Sequence, residues 1–503
     1  MHNPLKERRA GVLLHPTSLP GRSGQGVLGP AARQFINFLA EAGFSVWQML
    51  PLGPPHADRS PYQCLSVHAG NVGLVSLEDL VSDGWLDAAL PERRSHRECL
   101  NRSRKVFEQS ATATEKEVYS EFREAHAYWL EDYVVYQAIR QVQGDTPWYQ
   151  WPDDLRKRDN DALDKFRLEN RELVEQSRFE QFLFFKQWNA LRSYAHRRGL
   201  YLFGDMPIYV AHDSADVWLN RRLFSTDASG ALEVVGGVPP DYFSATGQRW
   251  GNPLYRWDRI RAEDYAWWLD RFRTQLAMFD IIRLDHFRGF EKYWEIPSAC
   301  ETAVDGRWVD GPGADLFARL EKEFGELPLV AEDLGVITPE VDALRRRFGF
   351  PGMKILQFAF DSGPDNPYLP ANHEPLSVVY TGTHDNDTTL GWYESLDNEQ
   401  RQAVSDALKR PLDDMPWSMN RAALASVANL AILPMQDLLG LGSSSRMNTP
   451  GTGDGNWCWR FDWARLPAGF AGQLRALLER YNRTGSVQSQ AWRREPGRRT
   501  SGP

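Results

Sequence analysis

Short, nearly continuous apolar runs recur along this chain, most of them running into a polar or acidic residue. Eight read as strands, at residues 11–15, 45–50, 201–205, 280–285, 329–333, 353–359, 378–383 and 430–435. Unbroken apolar character, in place of strict alternation, marks strands buried on both faces, the habit of parallel sheets covered by helices. Stretches with helical spacing, for instance 31–42 and 265–278, fall between several of them. Eight such units without an internal sequence repeat predict an α/β fold, a (β/α)8 TIM barrel with helical and loop insertions at its carboxyl-end face.

Two segments interrupt the rhythm. Residues 77–199 are polar and charged, but their aliphatic and aromatic positions return at helical spacing. They predict a mainly helical insertion packed beside the barrel. Residues 218–257 are dense in Gly and Pro and predict a loop-rich insertion at the end where the acidic residues lie. Residues 1–484 are therefore expected to form a single barrel unit, and the polar, basic tail 485–503 to be disordered.

Composition narrows the function. The chain has 503 residues, 42% hydrophobic and 25% charged, as in ordinary globular proteins. A net charge of −9 argues against a nucleic-acid partner. No apolar run is long enough for a membrane span, and the apolar residues near the amino terminus are too few for a signal peptide. The four cysteines form no close pair and read as thiols in a reducing cytoplasm. No metal-ligand spacing and no phosphate loop is present, so neither a metal nor an organic cofactor is expected. No obligate protein partner is evident. Most of the 19 Trp, 17 Tyr and 25 Phe should pack in the core, with a minority left to face a cleft.

The chemistry is carried by three motifs: RLDHFRGF at 283–290, AEDLG at 331–335 and TGTHDND at 381–387. Each acidic residue follows a short apolar run, and the intervals are about one βα unit. A lone Asp at a strand end is most often a turn former. Three carboxylates in register, Asp285, Glu332 and Asp385, instead point to an active site at the carboxyl end of a barrel. Glycosidic bond chemistry needs such a set, one carboxylate to attack and one carboxyl group to protonate the leaving oxygen. Arg283 lies two residues before Asp285 and so shares its face of the strand, where a fixed cation would steady the nucleophile. His384 either donates to a sugar hydroxyl or is a structural histidine satisfied by backbone.

At these motifs the chain resembles the amylomaltase family, 4-α-glucanotransferases of the α-amylase superfamily. The resemblance extends through HPTSLPG (15–21), WQMLPLGP (47–54), SPYQ (60–63), GDMPIYVAHDSADVW (204–218), GGVPPDYFSATGQRWGNPLYRW (236–257), GRWVDGPG (306–313) and FGFPGMKILQFAF (348–360). It implies a retaining transferase acting on α-1,4-glucans and maltooligosaccharides, with Asp285 as nucleophile, Glu332 as general acid/base and Asp385 as transition-state stabiliser. It also implies that Tyr62 stacks on the reacting sugar, with a core tyrosine as the alternative. Asp213 resembles a sugar-hydroxyl ligand, with a helix cap as the alternative. Asp241, Phe243, Gln248, Trp250 and Asn252 lie in the loop that covers the acceptor side in this family, and Asn456 resembles a late-chain substrate contact. The stretch LGPPHADRSPYQ at 52–63 departs from the LGPTGYGDSPYQ common in the family, which leaves an auxiliary glucan-holding role of this loop open without touching the catalytic set. An amylase-type hydrolase and a non-catalytic glucan-binding barrel are the competing readings.

Overall fold

The computed structural model describes residues 3–22, 24–240, 244–409 and 414–485. The tail beyond residue 485, and with it nearly all of the segment expected to be disordered, lies outside them. Among the described residues twelve strands form: β1 (Arg9–Leu13), β2 (Val46–Gln48), β3 (Tyr201–Met206), β4 (Val234–Val238), β5 (Gln248–Pro253), β6 (Ile281–Leu284), β7 (Lys292–Pro297), β8 (Arg307–Asp310), β9 (Leu329–Ala331), β10 (Gly352–Ile355), β11 (Ser377–Tyr380) and β12 (Leu430–Pro434). Eight close into a parallel barrel in the order β1-β12-β11-β10-β9-β6-β3-β2. These are the eight runs that the sequence marks. β10 is shorter than its apolar run, because the chain turns into a 3-10 helix at Leu356–Phe358.

Alternation along the strands explains the unbroken apolar runs. Leu13, Val46, Tyr201, Phe203, Ile281, Val330, Met353, Ile355, Val378, Tyr380, Leu430 and Ile432 form one cluster inside the barrel. Their neighbours Val12, Trp47, Leu202, Ile282, Leu284, Leu329, Ala331, Val379, Ala431 and Leu433 face the surrounding helices. Both faces are buried, so neither can be polar. Gly204 sits on the outer face of β3 because a Cβ there would lie 2.3 Å from the ring of Phe279.

Between β2 and β3 the chain is mainly helical. Two of its helices, His96–Ser110 and Ala113–Ala125, begin with capping boxes, Ser95 with Glu98 and Thr112 with Glu115. Their apolar faces meet in an aromatic cluster of Trp85, Phe107, Tyr119, Phe179 and Phe182. The helix Arg171–Arg197 then runs back to β3 and packs against the barrel helix Pro30–Glu41.

The segment 218–257 is not loop throughout. β4 and β5 lie within it and join β7 and β8 in an antiparallel sheet ordered β5-β4-β7-β8. The glycines of β4 mark close approach here, not a break in structure. A Cβ on Gly236 would meet the Tyr209 ring at 2.9 Å, and one on Gly237 would meet the Gln248 carbonyl at 2.2 Å.

Candidate active site

Three strands deliver polar groups to one end of the barrel interior by simple continuation of their period. In β3 the interior positions are Tyr201, Phe203 and then Asp205; in β6 they are Ile281 and Arg283, with Asp285 next; in β9 Val330 is followed by Glu332. The register aligns them. Asp205 pairs with Arg283, and Leu284 pairs with Ala331, which makes Asp285 and Glu332 the next residues on neighbouring strands. The last ladder bonds hold both: the Asp285 amide donates to the Met206 carbonyl at 3.1 Å, and the Glu332 amide to the Leu284 carbonyl at 3.0 Å. Asp385 arrives differently, on a turn after β11. Asn386 Oδ1 accepts from the Thr383 amide and hydroxyl at 2.8 and 2.9 Å, which folds the turn and sets Asp385 at the rim.

A continuous chain of polar contacts links the three carboxylates. Asp385 Oδ2 lies 3.4 Å from His384 Nε2, and His384 Nδ1 lies 3.4 Å from the Tyr62 hydroxyl. Tyr62 donates to Asp205 Oδ2 at 2.8 Å, and Asp205 accepts from Arg283 Nη1 through both oxygens at 2.9 and 2.8 Å. Arg283 Nη2 reaches Asp285 Oδ1 at 2.9 Å. One peptide further on, the His286 amide donates to Glu332 Oε2 at 2.7 Å. Glu332 Oε1 accepts from the Leu334 amide at 3.1 Å.

The environments of the acidic groups diverge. Burial pushes the Glu332 carboxyl up to about 7, the negative charge of Asp285 adds to the effect, and Arg283 with the His286 amide opposes it. For Asp385, half-exposed at the rim, partial desolvation acts upward too, but His384, by charge and hydrogen bond, and Asn448, by its hydrogen bond, outweigh it. With a smaller contribution from Arg283, they hold this carboxyl well below the usual carboxylate range. Burial alone would lower the Arg283 guanidinium, yet the charges of Asp205 and Asp285 keep it firmly protonated. Burial lowers His286 to about 4, so its ring is neutral. That residue adopts a left-handed backbone, φ 49°, a conformation in which His is enriched among side-chain-bearing residues.

Other residues singled out in the sequence fall into distinct settings. The ring of Tyr62 stacks on His384 with centroids 5.0 Å apart, and Trp457 leans against both. Trp250 is half-buried and meets the His286 ring edge-on at 4.8 Å, while its indole N–H donates to the exposed Gln248 at 3.0 Å. Asn252 is buried and donates to the Val210 carbonyl at 2.8 Å. Asp213 accepts from Tyr136 and from the Trp148 amide, each at 3.1 Å, and pairs with Arg140. It is not the helix cap; Ser214 is, accepting from the Val217 amide. Asn456 braces its own loop, accepting from the Thr449 amide at 2.8 Å and donating to Thr452. Asp241 and Phe243 lie outside the described residues.

Sequence reasoning passed over four groups that the fold brings to this end. Asp205 carries the same signature as the other carboxylates, an acidic residue closing an apolar strand, and was legible on that ground. His15 is buried, lowered to about 3 by burial and then by Arg460 and His384, and its Nδ1 has no hydrogen-bond partner among the described residues. It lines a cavity of about 200 Å3 with Trp457, Trp459 and Arg460. Asn448 and Arg446 reach Asp385 from a loop more than sixty residues away and left no local signal. Among the described residues no group of three or more His, Cys, Asp or Glu side chains is arranged to hold a metal ion.

Comparison with known proteins agrees with this geometry. The profile of the family described as 4-alpha-glucanotransferase matches residues 14–465. A 4-alpha-glucanotransferase of Thermus thermophilus is 48% identical, covering 94% of this chain and 98% of its own. One from Synechocystis is 47% identical over 95% and 99%. Among solved structures, the amylomaltase of Streptococcus agalactiae in complex with acarbose superimposes with a TM-score of 0.90 at 36% identity, covering 95% of this chain and all of that one. The amylomaltase of Corynebacterium glutamicum, at 18% identity and a TM-score of 0.77, shares the fold. With a barrel closed on the expected strands and near-full-length relatives at close to half identity, the chain belongs to the 4-α-glucanotransferase family of enzymes.

Proposed function

We propose that the cleft transfers segments of α-1,4-glucans and maltooligosaccharides by a double displacement. Asp285 attacks the anomeric carbon of the donor. The bond from that carbon to O4 breaks, and Glu332 gives its proton to the departing oxygen. The glucosyl ester on Asp285 is then attacked by the 4-hydroxyl of an acceptor, whose proton returns to Glu332 as the Asp285 carboxylate leaves. Two inversions retain the anomeric configuration. Asp385 accepts hydroxyl hydrogen bonds from the reacting sugar, and these strengthen as the ring flattens. Tyr62 offers it a flat ring, and Trp250 covers the acceptor side.

The observation that carries this reading is the pairing of Asp285 with Glu332. They are next neighbours across β6 and β9, yet one faces a buried guanidinium and the other is raised to about 7 by burial. Two carboxyl groups in such different surroundings suit one nucleophile and one proton donor. The same reading takes residues 1–484 as a single catalytic unit, since the last helix of the long insertion, Arg171–Arg197, packs onto the barrel helices Pro30–Glu41 and Ala266–Met278 and onto β3. It also places the enzyme in the cytoplasm, a setting favoured by four free thiols, Cys64, Cys99, Cys300 and Cys458.

Incubation with maltotriose tests the function directly. Transfer yields glucose together with longer oligosaccharides. Products shorter than maltotriose alone would mean hydrolysis, and no turnover would mean a binding protein; either result refutes the proposal.

A further inference from the structure

We infer that Asn448 is a positioning residue for Asp385, and that the segment 443–457 is the strap that holds it there. This rests on the proposed part of Asp385 in binding the reacting sugar. Asp385 stands on a turn at the rim of the barrel with its side chain 49% exposed, so packing does not choose its rotamer. Asn448 Nδ2 donates to Asp385 Oδ1 at 2.7 Å. Arg446 takes the backbone of the same residue, Nη2 donating to the Asp385 carbonyl at 2.9 Å.

The strap is braced so that it can do this. Arg446 Nε donates to the Asn448 carbonyl at 3.1 Å, fixing the backbone from which the amide projects. Ser443 donates to Asp387 Oδ2 at 2.8 Å, pinning the near end of the strap to the same turn. The Trp457 amide donates to the Met447 carbonyl at 2.7 Å and closes the far end, where the Trp457 ring meets Tyr62 and His384. The Asn456 amide ties the intervening bend together. The strap thus touches the ring beneath the proposed sugar position and the carboxylate beside it.

The choice of an amide has a chemical logic. An ionised carboxylate has about four acceptor sites. Asn448 occupies one on Oδ1 and His384 faces Oδ2, leaving one on each oxygen for two neighbouring sugar hydroxyls. A neutral donor fixes the rotamer without cancelling the negative charge that must attract those hydroxyls. Lysine or arginine at this position would compensate that charge.

Three variants decide the matter, each checked for its fold by circular dichroism. Asn448→Ala leaves Asp385 free to rotate, and kcat on maltotriose should fall by roughly 10²-fold, the scale of a small misplacement, with KM changing much less. Asn448→Asp keeps the shape but sets a second carboxylate at 2.7 Å, so the pair must share a proton. The acid limb of kcat/KM should then move to higher pH, which a merely structural role for Asn448 does not produce. Asp385→Asn separates the two readings. If it retains near wild-type turnover, the part given to Asp385 fails and the inference falls with it. If it is inactive while both Asn448 variants keep the wild-type kcat and acid limb, only the positioning role is overturned. Should Asn448→Ala not fold, the near-isosteric Asn448→Asp still decides through its pH profile.

Discussion

Asp205 binds Arg283 through both carboxylate oxygens, at 2.9 and 2.8 Å, and neither side chain is more than 6% exposed. The same guanidinium reaches Asp285, so the nucleophile in the proposed mechanism is oriented by a cation that is itself anchored one strand away. Asp205→Asn should leave that cation buried without its main counter-ion. Breaking a buried pair from one side typically costs about 3–5 kcal/mol. A marked fall in the unfolding midpoint, together with reduced kcat, is expected. An unchanged midpoint in urea denaturation would show that Asp285 and Glu332 alone suffice to compensate Arg283.

Asp285→Asn keeps the shape of the side chain and removes the carboxylate to which the proposed mechanism gives the attack. Turnover of maltotriose should drop by about 10³-fold or more, equivalent to ~4 kcal/mol of barrier. The circular dichroism spectrum should be that of the wild type. A variant retaining a tenth of the wild-type transfer rate would assign the attack elsewhere.

In the proposed mechanism Glu332 should set the alkaline limb. With its carboxyl raised to about 7, the fraction able to protonate the leaving oxygen declines as pH rises through that value, and kcat/KM should decline with it. In Glu332→Gln that limb should vanish along with activity on maltooligosaccharides, while a glucosyl fluoride, whose leaving group needs little protonation, should still react in the first step. Equal loss on both donors would give Glu332 another role.

The same shift makes a prediction about stability. The folded state holds the Glu332 proton more tightly than the unfolded chain, whose ordinary value is 4.5. Its contribution is therefore complete below about 4.5 and is lost as pH rises through about 7. Glu332→Gln should reduce the loss of stability over this window. Parallel unfolding midpoints of the two proteins from pH 5 to 8 would contradict the burial argument.

Trp250 meets His286 edge-on, and the His286 amide in turn holds Glu332. A transferase must deliver its glucosyl-enzyme to a sugar hydroxyl in the presence of water, and a positioned acceptor has a large effective molarity in its favour. Trp250→Ala should slow transfer more than hydrolysis and raise the ratio of reducing-end release to product redistribution from maltotriose. An unchanged ratio would place the selectivity outside this ring.

Much of the architecture is legible in the amino-acid sequence. Runs such as 280–285 and 329–333 are apolar on both faces because one side lines the barrel and the other meets helices, and that requirement acts residue by residue along the chain. The placing of Asp285 and Glu332 where such runs end follows from the same local rule. Gly236 and Gly237 misled for a local reason too: glycine marks loops and close approaches alike, and only Tyr209 and the Gln248 carbonyl tell which applies.

What the chain alone determined, then, was the set of strands, their buried faces, the carboxylates Asp285 and Glu332 at strand ends and Asp385 shortly after another strand. The tertiary structure decided the partners. Tyr62 and Asp205 are 143 positions apart, Asp205 and Arg283 are 78 apart, and Asn448 lies 63 beyond Asp385. No periodicity relates such residues, because their meeting depends on the register of neighbouring strands and on the closure of the barrel. Asp213 shows the same limit: a position that reads as a helix cap or a sugar ligand is engaged by Tyr136 and Arg140 from the helical insertion, through contacts that exist only once that insertion has packed against the barrel.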